Sequence, residues 1–328
     1  MKIQSLSWLL SLVLWMPIAI ANALPDLLII DEYPVEWGGV PRDPFVDQKG
    51  EVWFCGQAGN YIARFNPQSK KFTRYELAEG THPHNLIVDK QGRVWYAGNR
   101  NAHIGSINAE TGAIQTYVMP NGVTDPHTLV FDRNENIWFT AQNSNVIGFL
   151  NTKTGVVQPY SLTTPRSRPY GIKIASDGLV WSVLLGTNKL AVIDPETRVL
   201  RELNLPSNDA RPRRLEISRD GRIWYVDYAR GYLGVFHPIK NTFNEWLMPG
   251  GKDSKPYAMA LDEQGVVWIS ETGTYPNAMV GFDTQKATFI SHSRVKADGS
   301  IRHMYFDEKQ KSFWFGIDSG VIARASAK

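Results

Sequence analysis

The chain has 328 residues, of which 43% are hydrophobic and 12% aromatic, and its formal net charge is +3. This composition excludes a disordered chain. Because the excess charge is small and no run of Lys or Arg occurs, nucleic acid and acidic membranes are also poor partners. Cys55 is the only cysteine, so an internal disulfide is excluded.

The first 23 residues have the pattern of a secretory signal peptide. Lys2 gives a charged start, residues 6–20 are apolar, and Ala21-Asn22-Ala23 is a small-x-small cleavage site. The apolar stretch is short for a transmembrane helix. The sequence therefore predicts a signal peptide over residues 1–23, a periplasmic or secreted protein, and no membrane segment after cleavage.

Tryptophan recurs in the mature chain at intervals of 42, 43, 43, 43, 44 and 46 residues, each time in the same frame. In residues 83–96 that frame is a Pro, an apolar run, a Gly-containing turn and Val-Trp-Tyr. Two further alternating runs follow, and no helical periodicity interrupts them. The sequence therefore predicts an all-β, seven-bladed β-propeller with four-stranded blades, as a single domain over residues 24–328. The repeated indoles are interpreted as packing between neighbouring blades. They are Trp53, Trp95, Trp138, Trp181, Trp224, Trp268 and Trp314.

The two ends of the mature chain complement each other. The last repeat stops at Lys328 after three strand-like runs, and residues 29–35 resemble the fourth runs around Tyr75, Tyr117 and Tyr160. We expect this N-terminal strand to complete the last blade, because a closed ring leaves no open sheet edge. We also expect the protein to be a monomer.

Two positions of each repeat are expected to line the central channel. The first follows the repeat proline and is occupied by Arg42, His84, His127, Tyr170, Arg213, Tyr257 and His303. The second comes fourteen residues later and is occupied by Gly56, Gly98, Ala141, Leu184, Asp227, Glu271 and Ile317. Such polar and small residues predict a lopsided funnel that binds a small molecule. The alternative is a solvated channel with incidental polar groups. The predicted substrate contacts are Arg42, Tyr170, Arg213, Asp227, Tyr257, Glu271 and His303.

His84 and His127 occupy equivalent positions in adjacent repeats, and Asp125 lies two residues before His127. A carboxylate beside an imidazole orients the ring and raises its basicity, as a general base requires. Alternatively, Asp-Pro-His only caps the start of a strand. A metal site formed by the same three residues is a third possibility, although nothing in the sequence fixes its geometry.

Three short segments carry a family resemblance. Residues 52–55, 137–141 and 267–271 read Val-Trp-Phe-Cys, Ile-Trp-Phe-Thr-Ala and Val-Trp-Ile-Ser-Glu, each followed by an Ile-Gly or Val-Gly strand or close variant. With the Tyr-x-x-Pro-like endings of the repeats, they resemble the streptogramin B lyase (virginiamycin B lyase) family over the whole mature chain. The resemblance implies a seven-bladed propeller that linearises a cyclic depsipeptide antibiotic by elimination, using Mg²⁺ and a His base.

The catalytic pattern of that family is Glu-x-His at the start of a strand, a second Glu fourteen residues later and a His one blade earlier. In straight register this chain has His303 at the base, but Ile301 and Ile317 replace the two carboxylates and Tyr257 replaces the earlier His. A shift of one blade back keeps Glu271 but puts Lys255, Tyr257 and Arg213 at the other positions, and those residues could not hold Mg²⁺.

A rotated register matches three of the four positions, with Ala141 at the fourth. It gives an enzyme hypothesis, a lyase or hydrolase, in which Arg42 and Arg213 stabilise developing negative charge. The three matching residues are the base His127, its orienting residue Asp125 and the substrate contact His84.

Two other functions remain open from the sequence. One is a non-catalytic propeller that binds a small ligand in the same funnel, or a protein partner on an outer face. The other is a lactonase-like propeller with one buried metal, for which the expected acidic and Asn ligands are missing. A divalent metal such as Mg²⁺ is implied by the resemblance alone.

Overall fold

A computed structural model describes residues 23–328. The predicted signal peptide, apart from Ala23, lies outside the described residues. Within residues 23–328 the regular elements are 28 β-strands, arranged in seven four-stranded antiparallel sheets. This confirms the predicted all-β propeller with seven four-stranded blades. The described part of the chain contains no helix long and apolar enough to span a bilayer.

The strands follow one another from the axis outwards in each blade. Blades one to three contain β2 (Pro41–Val46), β3 (Val52–Gly56), β4 (Tyr61–Asn66) and β5 (Lys71–Glu76); β6 (Pro83–Val88), β7 (Val94–Gly98), β8 (His103–Ile107) and β9 (Ile114–Val118); and β10 (Pro126–Phe131), β11 (Ile137–Ala141), β12 (Val146–Leu150) and β13 (Val157–Ser161).

Blades four to six contain β14 (Pro169–Ile174), β15 (Val180–Leu184), β16 (Lys189–Ile193) and β17 (Leu200–Asn204); β18 (Pro212–Ile217), β19 (Ile223–Asp227), β20 (Tyr232–His237) and β21 (Thr242–Leu247); and β22 (Pro256–Leu261), β23 (Val266–Glu271), β24 (Ala278–Asp283) and β25 (Thr288–Arg294). Blade seven contains β26 (Ile301–Asp307), β27 (Ser312–Ile317), β28 (Val321–Ala327) and β1 (Leu28–Pro34).

The ring closes through the N-terminal strand, as the sequence predicts. β1 pairs antiparallel with β28 in continuous register from Leu28 opposite Ala327 to Pro34 opposite Val321. The innermost strands also contact one another in turn around the axis, including β26 with β2. The outer edge of the last blade is thereby formed by a strand from the opposite end of the chain.

The repeated tryptophans pack between blades. Trp95, for example, lies in one cluster with Leu129 and Phe139 of the next blade. Its Nε1 also donates a hydrogen bond to Asp89 Oδ2 at 2.9 Å, and Asp89 Oδ1 accepts from the backbone of the turn. Gly92 in that turn has a φ of +80°, which a glycine adopts without strain. Trp53 and Trp268 make the same bond to an aspartate of their turns, so these three indoles fix the hairpin turn as well as the contact between blades.

A β-bulge lies near the start of every innermost strand. In all seven blades the register between the first and second strands shifts within the first few residues. A bulge sets two residues opposite one, so consecutive side chains no longer alternate strictly between the two faces. Two neighbouring positions of each innermost strand therefore lie at the axis, and they form the site described below.

Candidate functional site

The second residue of each innermost strand lies at the axis. We call these seven side chains the axial ring: Arg42, His84, His127, Tyr170, Arg213, Tyr257 and Arg302. The sequence had placed His303 in this ring. In the structure, however, Ile301 pairs with Ile317 as Pro41 pairs with Gly56. The hairpin of the last blade is one residue longer, so Arg302 takes the ring position and His303 follows it.

The axial ring fills this end of the channel instead of lining an open, lopsided funnel. The rings of His84 and His127 lie 3.4 Å apart between centroids, and those of His127 and Tyr170 lie 4.4 Å apart. The Tyr170 and Tyr257 hydroxyls are hydrogen-bonded to each other, and the Arg213 guanidinium lies 3.9 Å from the centre of the Tyr257 ring. Within the axial ring, Arg213 and Arg302 are half-buried and the other five side chains are buried.

Beneath the axial ring, a second set of side chains crosses the axis. We call Asp43, Asn85, Thr128 and Arg214 the axial bridge. Arg214 Nη2 lies 3.3 Å from Asp43 Oδ2, and Arg214 Nη1 donates to Thr128 Oγ1 at 3.3 Å. Asn85 Nδ2 donates to Asp43 Oδ2 at 2.9 Å. The bridge links blades one, two, three and five, so it divides the channel into two ends.

Asp43 is the centre of charge in this region. Its carboxylate is fully buried and also accepts from Arg42 Nε at 3.0 Å. Burial raises the pKa of Asp43, but Arg42, His303, Arg214 and the Asn85 hydrogen bond together outweigh burial and hold that pKa well below its usual range. The φ of Asp43 is +47°, an uncommon conformation for a residue other than glycine. One buried carboxylate therefore serves two buried guanidiniums, and a positive charge is left over.

The mouth above the axial ring is also positive. Arg213 is half-buried and contacts the rings of Tyr170, Tyr228 and Tyr257. Within residues 23–328 no carboxylate pairs with Arg213, and its Nε has no hydrogen-bond partner. Three further cationic side chains, two of them exposed, lie two positions before ring residues of blades four to six: Arg168, Arg211 and Lys255.

The axial histidines are held neutral. Burial lowers the pKa of His84 well below its usual value, and nearby Arg42 lowers it further. Burial and then Arg214 act in the same way on His127. His127 Nδ1 lies 2.8 Å from Thr128 Oγ1, while Nε2 has no partner among the described residues. Burial also lowers the pKa of His303 to about 3.

Asp125 does not orient His127. One oxygen of its carboxylate accepts from the Asn143 backbone at 2.7 Å, and the other accepts from the Ser144 backbone and hydroxyl at 3.1 and 2.7 Å. These bonds hold the loop after β11. This geometry agrees with the alternative interpretation of the sequence, in which Asp-Pro-His only caps the start of a strand.

Asp227 and Glu271 are likewise engaged with loops. Asp227 Oδ1 accepts from the Arg211 backbone at 2.9 Å, and Oδ2 lies 3.4 Å from Arg230 Nε. Glu271 Oε1 accepts from the Gly250 backbone at 2.7 Å, and Oε2 lies 3.5 Å from His292 Nε2. Both carboxylates, which the sequence predicts as substrate contacts, are fully buried beside the blade loops.

These residues do not fit the magnesium ion that the resemblance implies. Mg²⁺ requires near-octahedral oxygen ligands, usually with at least one carboxylate. Asp43 is the carboxylate at the axis, and two arginines and Asn85 occupy its oxygens. In the part of the chain that the structure describes, no group of three His, Cys, Asp or Glu side chains has a metal-binding arrangement.

The buried phenols of Tyr257 and Tyr170 share a hydrogen bond, so the charge on one affects the other. Burial opposes ionisation of Tyr257, but Arg213 and then Arg42 outweigh it and lower the pKa of Tyr257 to about 8. Burial, reinforced by Tyr257, raises the pKa of Tyr170. Of the two phenols, Tyr257 is therefore the one that ionises closer to neutral pH.

Sequence reasoning missed Asp43, Arg214 and Arg302. An ideal strand would turn Asp43 and Arg214 away from the axis, and only the bulge brings them to it. One signal was present in the sequence: Arg42-Asp43 and Arg213-Arg214 are adjacent charged pairs inside innermost strands, where a buried charge requires a partner.

Comparison with known proteins gives one family. The model of the virginiamycin B lyase family matches residues 30–325. The crystal structure of virginiamycin B lyase from Staphylococcus aureus is 23% identical, with a TM-score of 0.83 over 92% of this chain and 100% of that chain. A catalytically inactive variant of that enzyme with quinupristin is 24% identical, with a TM-score of 0.84 over the same shares of the two chains.

A more distant structural relative has a different context. The extracellular domain assigned to a hybrid two-component system from B. thetaiotaomicron is 17% identical, with a TM-score of 0.73. That match covers 92% of this chain and 43% of the other. Comparison with functionally curated proteins gives no match. At these identities the solved structures establish the fold.

Proposed function

Because the chain belongs to the virginiamycin B lyase family, we propose that it is an exported propeller that binds a small anionic ligand at the mouth of its axis. The observation that carries this proposal is the uncompensated Arg213. Its guanidinium is half-buried, lies among three tyrosine rings, and has no carboxylate partner in residues 23–328. An anionic ligand binds most favourably to a cation in such a place, because charge-assisted hydrogen bonds become stronger as water is excluded.

The surroundings of Arg213 suit this role. Arg168, Arg211 and Lys255 place positive charge around the mouth, which raises the local concentration of anions. The Tyr257 ring, 3.9 Å from the guanidinium carbon, keeps the side chain in one orientation. A ligand carboxylate would pair with the half-buried guanidinium of Arg213, whose charge no described carboxylate compensates.

Binding without elimination chemistry is favoured by the carboxylates. Metal-dependent elimination of the family type needs free carboxylates beside a histidine. Here Asp125, Asp227 and Glu271 accept hydrogen bonds from loop backbones instead. The extracellular domain from B. thetaiotaomicron supports the same assignment, since its propeller belongs to a two-component system.

Isothermal titration calorimetry tests the proposal with citrate, oxalate and inorganic phosphate as probes at low and high salt. We expect at least one probe to bind, with an affinity that falls as salt is added. Arg213→Gln should weaken that binding about tenfold or more, since charged hydrogen bonds contribute about 1.5–3 kcal/mol. Arg219→Gln, at the exposed turn of the same hairpin, is the matched control. Equal affinities for the wild type and Arg213→Gln would refute the proposal.

A second candidate is the enzyme hypothesis, a lyase or hydrolase of a cyclic ester or peptide with His127 as base. Tyr257 favours it, since its pKa of about 8 makes its phenolate a proton acceptor near neutral pH; His127 Nε2 has no partner among the described residues, although its lowered pKa makes it a weaker base. The assay is turnover of quinupristin, the compound named with a relative, in the presence and absence of Mg²⁺. Turnover that disappears in His127→Ala or Tyr257→Phe would establish it, and no turnover of the wild type would argue against it.

Export is part of the proposal and is tested separately. Protein recovered from the periplasm or the medium should begin at Leu24, as N-terminal sequencing would show. Two measurements test the expected partners. Light scattering should give the mass of a monomer, and the protein should not be retained on immobilised nucleic acid. The extracellular relatives support this location.

A further inference from the structure

The channel contains a cavity of about 310 Å³ on the far side of the axial bridge from the axial ring. We call it the lower chamber. Its inner end is formed by third residues of innermost strands, including Asn85, Thr128, Arg214 and His303. Later residues of the same strands form its walls, so the chamber lies away from the mouth where Arg213 is found.

The inner end of the lower chamber is polar and positively charged. Arg214 is buried, and its guanidinium shares the carboxylate of Asp43 with Arg42. Arg214 Nε has no hydrogen-bond partner within the described chain, and neither has His303 Nδ1. His303 is neutral above acidic pH, because burial lowers its pKa to about 3. One positive charge thus remains uncompensated at a buried site, which is energetically costly.

The walls of the chamber are apolar. Leu86, Leu129 and Met259 line it, and the rings of Phe45 and Tyr305 lie 4.6 Å apart on one side. Apolar walls around a few polar groups are the usual composition of a small-molecule site.

The chamber opens near an ion pair. Lys173 Nζ lies 2.7 Å from Glu216 Oε1, and both residues belong to the chamber lining. The charges of Lys173 and Glu216 cancel each other. A ligand in the chamber therefore meets the single net positive charge of the group formed by Asp43, Arg42 and Arg214.

We propose that the lower chamber binds a small amphipathic carboxylic acid, with its carboxylate towards Arg214 and its apolar part between Phe45, Tyr305 and Met259. The ligand supplies the missing negative charge and the hydrogen-bond acceptor. Size limits it further, since a cavity of about 150 Å³ holds one benzene ring. A chamber of about 310 Å³ therefore suits a single ring with a short chain, or a short acyl chain.

This site is separate from the one proposed at the mouth. Arg213 and Arg214 are consecutive, but Arg213 contacts the tyrosines of the axial ring and Arg214 lines the chamber beyond it. Either site can exist without the other, and the two arginines distinguish them.

The experiment uses 4-phenylbutyrate as the probe and neutral 4-phenylbutanamide as its uncharged counterpart, in calorimetric titrations of the full mature protein. We expect 4-phenylbutyrate to bind about tenfold or more tightly than the amide. Arg214→Gln should remove that preference, while Arg213→Gln should keep it. Loss of binding in Arg213→Gln with retention in Arg214→Gln would overturn the inference, as would no binding of the probe to the wild type.

A second variant guards against misfolding of Arg214→Gln. Tyr305→Ala removes one apolar wall and leaves the charged group intact. It should weaken both probes by about the same factor, roughly tenfold for a lost aromatic contact. Tyr275→Ala, at a side chain that is 71% exposed, is the matched control and should leave both affinities unchanged. Unchanged binding in Tyr305→Ala would also overturn the inference.

Discussion

Removing the buried charge of Asp43 should destabilise the whole propeller. Asp43→Asn keeps the shape of the side chain but leaves Arg42 and Arg214 buried without an anion. At 3.0 and 3.3 Å, each ion pair has an attraction of about 5 kcal/mol at an effective dielectric constant of about 20. Desolvation offsets part of this attraction in the native protein, and removing one partner of a buried pair typically costs about 3–5 kcal/mol.

A double-mutant cycle isolates the bridge itself. Arg214→Gln leaves Asp43 paired with Arg42, so it should cost less than Asp43→Asn. In the double variant the two losses should fall short of additivity by about 1.5 kcal/mol or more, since the residues are in direct contact. The free energy of unfolding is measured by guanidinium denaturation, followed by tryptophan fluorescence.

Thermal denaturation gives a second readout of the same cycle. A loss of 3–5 kcal/mol corresponds to a fall in Tm of roughly 5–8 °C for a chain of this size, since the unfolding entropy is about 2.1 cal/mol/K per residue. Asp209→Asn, at an exposed turn, is the control and should change stability by less than about 0.5 kcal/mol. A loss below about 1 kcal/mol in Asp43→Asn, or strict additivity in the cycle, would refute the reasoning.

Three further predictions concern stability. The axial histidines stay neutral in the fold, so below about pH 6.5 the unfolded chain binds protons that the folded chain does not. As the pH is lowered, the free energy of unfolding should therefore decrease by at most about 1.4 kcal/mol per pH unit for each histidine. Equal denaturation midpoints at pH 7 and pH 5 would contradict this. These histidines are His84, His127 and His303. Asp89→Ala removes the acceptor of the Trp95 indole and should cost about 1–3 kcal/mol in the same assay, whereas no loss would show that the bond contributes nothing. Deleting residues 24–34 removes β1 and exposes the edge of β28, so Tm should fall and the protein should self-associate; an unchanged, monomeric protein would disprove the role of β1 in closure.

The candidate site was only partly predictable. Arg42, His84, His127, Tyr170, Arg213 and Tyr257 were identified from their place in the repeat, and they do meet at one end of the axis. Asp125 was expected to orient His127, and Asp227 and Glu271 to contact the substrate, but the carboxylates of all three accept backbone hydrogen bonds from loops. Sequence spacing gives the strand position of a carboxylate, but the loop amides that compete for it are fixed only when the loops fold.

The sequence by itself determined the architecture. The regular tryptophan interval, the turn glycines and the matching ends of the chain specify seven blades and closure by β1, because each is a local pattern repeated along the chain. Only the tertiary structure decided which side chains share the axis. The bulges turn Asp43 and Arg214 inwards, and a hairpin longer by one residue puts Arg302 in place of His303. A shift of one residue changes which face a side chain occupies, and pairing between strands, rather than local pattern, fixes that shift.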